Sequence, residues 1–588
     1  MKHLHQLLYT TSLLIISFFA DATVVTVGSG TDCDYNLLAG DSLQDAINFT
    51  ESHEIRLHLN AFYTSINIHR PIKILGGYDN CTTAAQGIIS SSTDILANIN
   101  GQNTDRVITI NSTAFSGEVI LENLSITNGF AGTELSSDNG GGIFVPHTNL
   151  SIVKIINSVI TNNTALSGGG IYMIGNPTTN DLILTDTKIH NNHAINTGTG
   201  GSYNGGGGIL TDSVDIHIQG NSGLFNNHTD TQLGLSFGGA IAAYNSTITV
   251  IGGDDLPEVG FIQNTAQYRG GALYLSGTEL ILVGNRTFVN GTITGNISAP
   301  IKFSLNEAID NYGGAIFADA GSIQATDVLF ALNAAKIAGG AIAMIGSELH
   351  MDSTPGQCWQ DQACNVFTLN AAEFGGAIWS NLASDITVKH AIFNDNAANT
   401  GSSFTIGNGS TALLEAVVII NEGQSNNVLS NNNILFLADA EMTVNFSTII
   451  ENDTTESVFN SLGNSSVMQV SNSIIYNNLI PQMIAADNEG TVAYSCILAN
   501  SQEHGAINIG SSNYNNMFVD VAGLNLRLRE HAYAIDFCDD LTTPPTTKDL
   551  QNYARGYDDP SEGDIFGVFD AGANEYFIDL IFADNFEP

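Results

Sequence analysis

Between Asn162 and Met173 the chain reads NNTALSGGGIYM, and the end of that phrase, glycines followed by an aliphatic residue, returns seven more times. It stands at Gly141-Gly142-Ile143, Gly207-Gly208-Ile209, Gly238-Gly239-Ala240-Ile241 and Gly270-Gly271-Ala272-Leu273. It recurs at Gly313-Gly314-Ala315-Ile316, Gly339-Gly340-Ala341-Ile342 and Gly375-Gly376-Ala377-Ile378. The steps are uneven, the shortest running from Ile316 to Ile342 and the longest from Leu273 to Ile316. A constant kernel at varying distance describes a repeated coil with loops of different length let into it.

The material between kernels is short and alternating, as in Asp181-Leu182-Ile183-Leu184, Thr247-Ile248-Thr249-Val250 and Asp385-Ile386-Thr387-Val388. A second run ends before an Asn, as in Leu329-Phe330-Ala331-Leu332-Asn333 and Phe367-Thr368-Leu369-Asn370. Strands this short cannot stand as a separate sheet. Stacked coil on coil at about 4.8 Å per turn they pair with their own equivalents. The expected fold is therefore all-β, a single-stranded, right-handed parallel β-helix with an N-terminal capping segment. The kernel glycines supply positive φ and close stacking at a corner, and the aliphatic that follows enters the core. Asn163, Asn192, Asn227, Asn264, Asn333 and Asn370 are expected to form an amide ladder inside another corner.

Four segments are expected. Residues 1–22 read as a secretory signal, with Lys2 basic, Leu7 to Phe19 apolar and cleavage near Ala22. Residues 23–100 read as a cap, with a short helix over 41–48 started by Ser42 or Asp41. The coils span 101–520, with clear kernels over 140–380 and degenerate ones over 380–520. Residues 521–588 form a C-terminal cap and a sorting or anchoring tail. The apolar run at the start is short for a bilayer span and no later run approaches 18 residues, so no transmembrane helix is expected. Export to a secreted or cell-surface location follows. In an exported chain six cysteines point to disulfides, and proximity selects Cys33–Cys81, Cys358–Cys364 and Cys496–Cys538. Zinc is the alternative, but the short C-x₂-C spacing and neighbouring histidines are missing.

Acidic residues outnumber basic ones 58 to 16, for a net charge of −42, which repels phosphate backbones and argues against nucleic-acid binding. No cofactor is expected. Asp558, Asp559, Glu562 and Asp564 make an acidic turn with the hard oxygen ligands that Ca²⁺ takes, although EF-hand spacing is absent. The residues after the kernel aliphatics are Phe144, Tyr172, Leu210, Ala242, Tyr274, Phe317, Ala343 and Trp379. In register they draw a broken aromatic stripe, and Tyr172, Tyr274, Phe317 and Trp379 are its candidate ligand-binding residues. A cross-coil packing ladder is the plainer alternative.

Three resemblances accompany these motifs. The GGAI and F-x-x-N elements resemble the repeats of polymorphic outer-membrane proteins, which implies a surface-exposed, often adhesive β-helix. Those proteins end in a barrel, whereas fewer than about 70 residues follow the last coil here, too few for eight strands. Ala534-Ile535-Asp536, Asp549 with Arg555, and Asp570-Ala571-Gly572-Ala573-Asn574-Glu575 are similar to the closing pattern of choice-of-anchor Q proteins. That implies an exported surface protein, although Asn552 and Ala571 replace the usual Gly and Ile. Ile581-Phe582-Ala583-Asp584-Asn585-Phe586-Glu587 resembles short I-F-x-D-G-F-E tails of exported bacterial proteins, with Asn585 in place of Gly.

The functional expectation is adhesion or interaction without turnover, the partner being a host-cell or environmental surface component such as a polysaccharide. The alternative is a polysaccharide lyase or glycoside hydrolase of the pectate-lyase-like kind. Against it, the coil cations Arg106, Lys154, Lys188, Arg269, Arg286, Lys302, Lys336 and Lys389 sit beside no acidic cluster in sequence. Asp254-Asp255 is the best carboxylate pair and His504 a lone His-Gly.

Overall fold

A computed structural model describes residues 23–576 except 60, 92–95, 112–116, 133–136, 147–150, 176–179, 197–203, 232–234, 253–258, 285, 290–291, 298–299, 354–364, 421–432, 452–456, 478–482, 486–487, 501–506, 509–513, 515, 522–524, 540–547, 551–553, 560–564 and 566. One turn of the chain shows how the rest is built. A kernel strand, Ile241–Tyr244, is followed by Thr247–Ile251, Gly260–Ile262 and the two-residue Thr265–Ala266. Each pairs in parallel with its counterpart one coil on: Ile241 with Leu273, Thr247 with Glu279, Gly260 with Lys302 and Thr265 with Glu307. Repeated along the chain, the kernel strands make a 13-stranded ladder from Ile66–Ile68 to Ser457–Leu462. The second and third strand types belong to one 31-stranded sheet, and the shortest strands to a 6-stranded one. This is the parallel β-helix that the repeat required.

Alternation fills the interior. Ile241, Ile248, Phe261, Leu273 and Leu280 are wholly buried in one continuous core. Inside it, Phe261, Phe303, Phe330, Phe367 and Phe393 stack on successive coils at 4.7–5.0 Å with rings within 14° of parallel.

The kernel glycines do two different jobs. Gly270 has φ +68°, a left-handed corner that disfavours a side chain. A Cβ on Gly271 would lie 2.1 Å from the carbonyl oxygen of Gly314 on the next coil, so only glycine lets the coils close up. The asparagine ladder also forms, and it is longer than the sequence suggested. Side-chain amides link Asn163, Asn192, Asn227, Asn264, Asn306, Asn333, Asn370 and Asn396 in one unbroken row. Asn306 and Asn396 extend it. The residue before each of these is left-handed, Asn in Asn162, Asn191 and Asn226 but Leu in Leu305, Leu332 and Leu369. The doubled asparagines of the sequence are thus two roles side by side.

At the start, the helix Leu43–Asn48 is capped by Ser42, with Asp45 returning the bond in a capping box. A second helix, Cys81–Gln86, was not foreseen; it is tied by Cys33–Cys81 and its end carbonyls accept from Arg56. Ladder strands are already running at Ile66–Ile68 and Ile72–Tyr78, so cap and first coils share that segment. At the other end, the described residues between 514 and 576 lie against the outside of the rod. Ile420, Ile450, Ile474 and Leu498, outward residues of the late coils, are buried with Phe518, Leu526, Ile535 and Ala573. Cys496–Cys538 joins that segment to the last coils. Two of the three expected disulfides are therefore present, as suits an oxidising compartment, and Cys358 and Cys364 lie outside the described residues. No helix among the described residues is long and apolar enough to cross a membrane.

Candidate ligand-binding surface

The stripe expected along the kernel strands is in register. Phe144, Tyr172, Leu210, Ala242, Tyr274, Phe317, Ala343 and Trp379 pair one coil to the next. All of them point away from the core, but only some reach solvent. Tyr172 and Trp379 are half-buried, whereas Tyr274 is 7% exposed and Phe317 is fully covered. The expectation that all four offer open ligand-binding faces is corrected for Tyr274 and Phe317. Outward from the core is not outward to water here, because a second layer folds over the strand.

That second layer comes from the residue immediately before each kernel glycine pair. Phe237, Arg269 and Tyr312 occupy it, with Phe237 bridging to Arg269 and Tyr312 continuing to Ala338 and Phe374. The Phe237 ring stacks on Tyr274 at 4.3 Å, Tyr274 on Phe317 at 5.7 Å, and Tyr312 on Trp379 at 5.0 Å and 3°. The Arg269 guanidinium sits over Phe317 at 4.7 Å, Tyr268 at 5.0 Å and Tyr312 at 5.4 Å. Its Nε is buried and meets no hydrogen-bond acceptor among the described residues. Burial pushes the Tyr274 hydroxyl above its ordinary value, with Asp319 adding to this and Arg269 opposing it. A smaller patch lies at the front of the same face, where Phe144 stacks on Tyr172 at 5.6 Å and Arg106 covers Phe144 at 4.4 Å. The result is a shallow wall of half-exposed aromatic faces with an arginine set into it. Sequence reading names Arg269 only as a coil cation and misses Phe237 and Tyr312, though the signal of all three is present one residue ahead of the kernel.

The acidic turn near the C-terminus behaves differently from a loop of solvent-facing ligands. Asp558 is exposed but Asp559 is buried, its N–H donating to Asp536 Oδ2 at 3.2 Å. Glu562 and Asp564 lie outside the described residues, as do Asp254, Asp255 and His504. What the chain does bring together is its closing motif. Glu575 accepts from the N–H groups of Gly556 and Tyr557 at 2.6 and 3.0 Å and faces Arg555 at 3.4 Å. Arg555 donates to the carbonyls of Gly572 and Ala573 and lies 4.2 Å over the Phe446 ring. Asp549 accepts from Glu575 N–H, and Asp570 accepts from Asp536 and Tyr576 N–H. Burial pushes Glu575 up to about 7, against the pull of Arg555, and raises Asp570 well above the usual carboxylate range. This knot pins the closing segment to the rod, with Ala573 N–H bonding Thr448 Oγ1 at 2.9 Å.

Elsewhere the acid excess is laid out along the rod. Glu279, Ser322, Glu348, Asp385, Thr411 and Glu441 follow one another in register down the start of the second strand type. Beside them Asp385, Leu413, Glu441, Thr443 and Gln469 line a shallow groove of about 260 Å³. Compared with known protein families and with curated proteins, the chain matches no family model and no curated sequence.

Proposed function

We propose that the protein is an exported, surface-associated rod that acts by binding, with the outer face of the kernel ladder around Arg269, Tyr312 and Trp379 as its contact surface. The observation that carries this reading is the half-buried Arg269 guanidinium set among the stacked, half-exposed rings of Tyr268, Tyr312 and Trp379. A guanidinium between aromatic faces suits a ligand that presents hydroxyl oxygens beside apolar ring faces, which is the character of a sugar chain. Rungs repeat at about 4.8 Å, comparable with the length of one pyranose unit, and the half-exposed rings of Phe237, Tyr312 and Trp379 stand on separate coils as spaced platforms. A net charge of −42 favours neutral over polyanionic glycans. The likeness of the kernel to polymorphic outer-membrane protein repeats, and of the closing motif to choice-of-anchor Q proteins, agrees with a surface location.

Calorimetry against a panel of neutral and acidic polysaccharides tests the reading. Saturable binding is expected, weakened at least about tenfold by Arg269→Gln or Trp379→Ala. Equal binding by the two variants and the parent chain would remove the assignment. The second reading, polysaccharide cleavage, rests on the groove that holds Asp385 and Glu441 two coils, or about 10 Å, apart. That is near the upper end for an inverting pair of carboxylates. Release of reducing or unsaturated ends in the same panel, with and without Ca²⁺, and its loss in Glu441→Gln would favour this second reading.

A further inference from the structure

The corner that follows the asparagine ladder carries two imidazoles on neighbouring coils. His193 opens the strand His193–Asn196 and His228 the strand His228–Thr231, and the two residues are direct partners in register. Their rings lie 3.8 Å apart at 27°. Asp230, two residues beyond His228, falls on the same side of its strand and brings Oδ2 to 2.9 Å from His193 Nε2. One nitrogen from each imidazole and one carboxylate oxygen all lie within 4.8 Å of one another.

We propose that His193, His228 and Asp230 form a binding site for a divalent first-row transition cation of the Zn²⁺ or Cu²⁺ type. Two nitrogens and one oxygen are the donors such ions take, while Ca²⁺ and Mg²⁺ call for oxygen alone. A tetrahedral ion about 2.1 Å from each donor separates neighbouring donors by roughly 3.4 Å. Holding an ion requires the Asp230 side chain and the two stacked rings to rotate so that donors now within 4.8 Å of one another converge to that spacing. Three protein donors leave a fourth position open to water or to an outside ligand.

The support beneath the donors is rigid. His193 and His228 directly follow Asn192 and Asn227, both fully buried members of the ladder. Their N–H groups bond the carbonyls of Asn163 and Asn192 on the preceding coils at 2.8 and 3.0 Å. The His228 ring also bonds the backbone of Asn226, the kind of outer contact that fixes a ligating imidazole's tautomer. Burial, the largest influence on each ring, holds both histidines below their ordinary pKa against the opposing pull of Asp230. Elsewhere in this column the side chains are Thr164, Thr265, Glu307 and Ala334, so the imidazole pair is confined to two coils.

The test is Zn²⁺ titration of the untagged, full-length chain by calorimetry, in millimolar Ca²⁺ to occupy diffuse acidic sites. Absorption of a Co²⁺-loaded sample then reports coordination number. One equivalent of Zn²⁺ is expected, with Co²⁺ bands of four- or five-fold coordination. His193→Gln and His228→Gln should each lose at least about 100-fold in affinity, and the exposed Asp230→Asn about tenfold. The metal-free melting temperature of Asp230→Asn should match the parent's, so that its loss is read as lost ligation. Absence of a stoichiometric site, or a site that all three substitutions leave unchanged, would overturn the proposal.

Discussion

Replacing Asn264 with alanine should be among the most damaging single changes available in this rod. The Asn264 side chain donates to Leu224 O at 2.9 Å on the coil before and to Asn306 Oδ1 at 3.1 Å on the coil after. Its Oδ1 accepts from the Asn227 backbone N–H at 3.1 Å and from Asn227 Nδ2 at 3.2 Å. Alanine removes all four bonds, and the Asn227 groups that lose their acceptor are fully buried. With a net contribution of about 1 kcal/mol per bond and more for a buried donor left unpaired, the loss should be about 4–5 kcal/mol. The neighbouring Asn226 is the control. It is exposed and left-handed, so Asn226→Gly deletes an amide one coil away at a cost within about 0.5 kcal/mol. Urea unfolding of parent and variants, followed by far-ultraviolet circular dichroism, reads both effects as midpoint shifts at constant m-value. A loss below about 1 kcal/mol in Asn264→Ala would refute the ladder as a load-carrying element, since relaxation or water would then replace its bonds.

Two further outcomes follow from other parts of the coil. Leu332 is 45% exposed at φ +60°, where asparagine stands in the equivalent Asn162, Asn191 and Asn226, so Leu332→Asn should raise stability by about 1 kcal/mol, read as a higher urea midpoint. The closing knot should respond to pH. Glu575 titrates at about 7 when folded against 4.5 as its ordinary value, so between those values the folded chain holds the extra proton. Its contribution is complete below about 4.5 and is lost as pH rises through about 7, amounting to about 3 kcal/mol with Asp570 acting in the same direction. Hydrogen exchange in the 514–576 segment should therefore speed up from pH 5 to pH 8 after correction for intrinsic rates. Glu575→Gln, which keeps the neutral form at every pH, should flatten that dependence, and an unchanged slope would show that another group governs it.

Local sequence was enough for the repeating geometry because each coil meets only copies of itself. Once the Gly-Gly-aliphatic kernel and the strand-then-Asn run are seen, stacking follows, since strands such as Thr247–Ile251 can bury one face and satisfy their backbone only against their equivalents. The same logic placed six ladder asparagines. Asn306 is not singled out by sequence because the long step from Leu273 to Ile316 also holds Asn285, Asn290, Asn296 and Asn311, so position alone does not choose among them. The pairing Cys33–Cys81 was legible from proximity, but the helix that presents Cys81 was not, because six residues carry too little periodicity.

What sequence left undecided was which outward residues meet water. Tyr274 and Trp379 hold the same position of the repeat, yet one is buried and the other half-open. Burial there depends on side chains at the adjacent corner, Phe237, Arg269 and Tyr312, and alternation along a strand carries no information about a neighbouring corner. The closing segment shows the same limit: Asp536, Asp549, Arg555 and Glu575 form one knot only because the described residues between 514 and 576 fold back over coils earlier in the chain. His193 and Asp230 are likewise 37 positions apart and meet only because the coils stack in register. The repeat therefore set the rod in advance, since its contacts are between equivalents, while the contact surface, the imidazole pair and the closing knot needed the tertiary structure, because each also takes residues from another position of the repeat or from outside it, such as Arg269, Asp230 and Glu575.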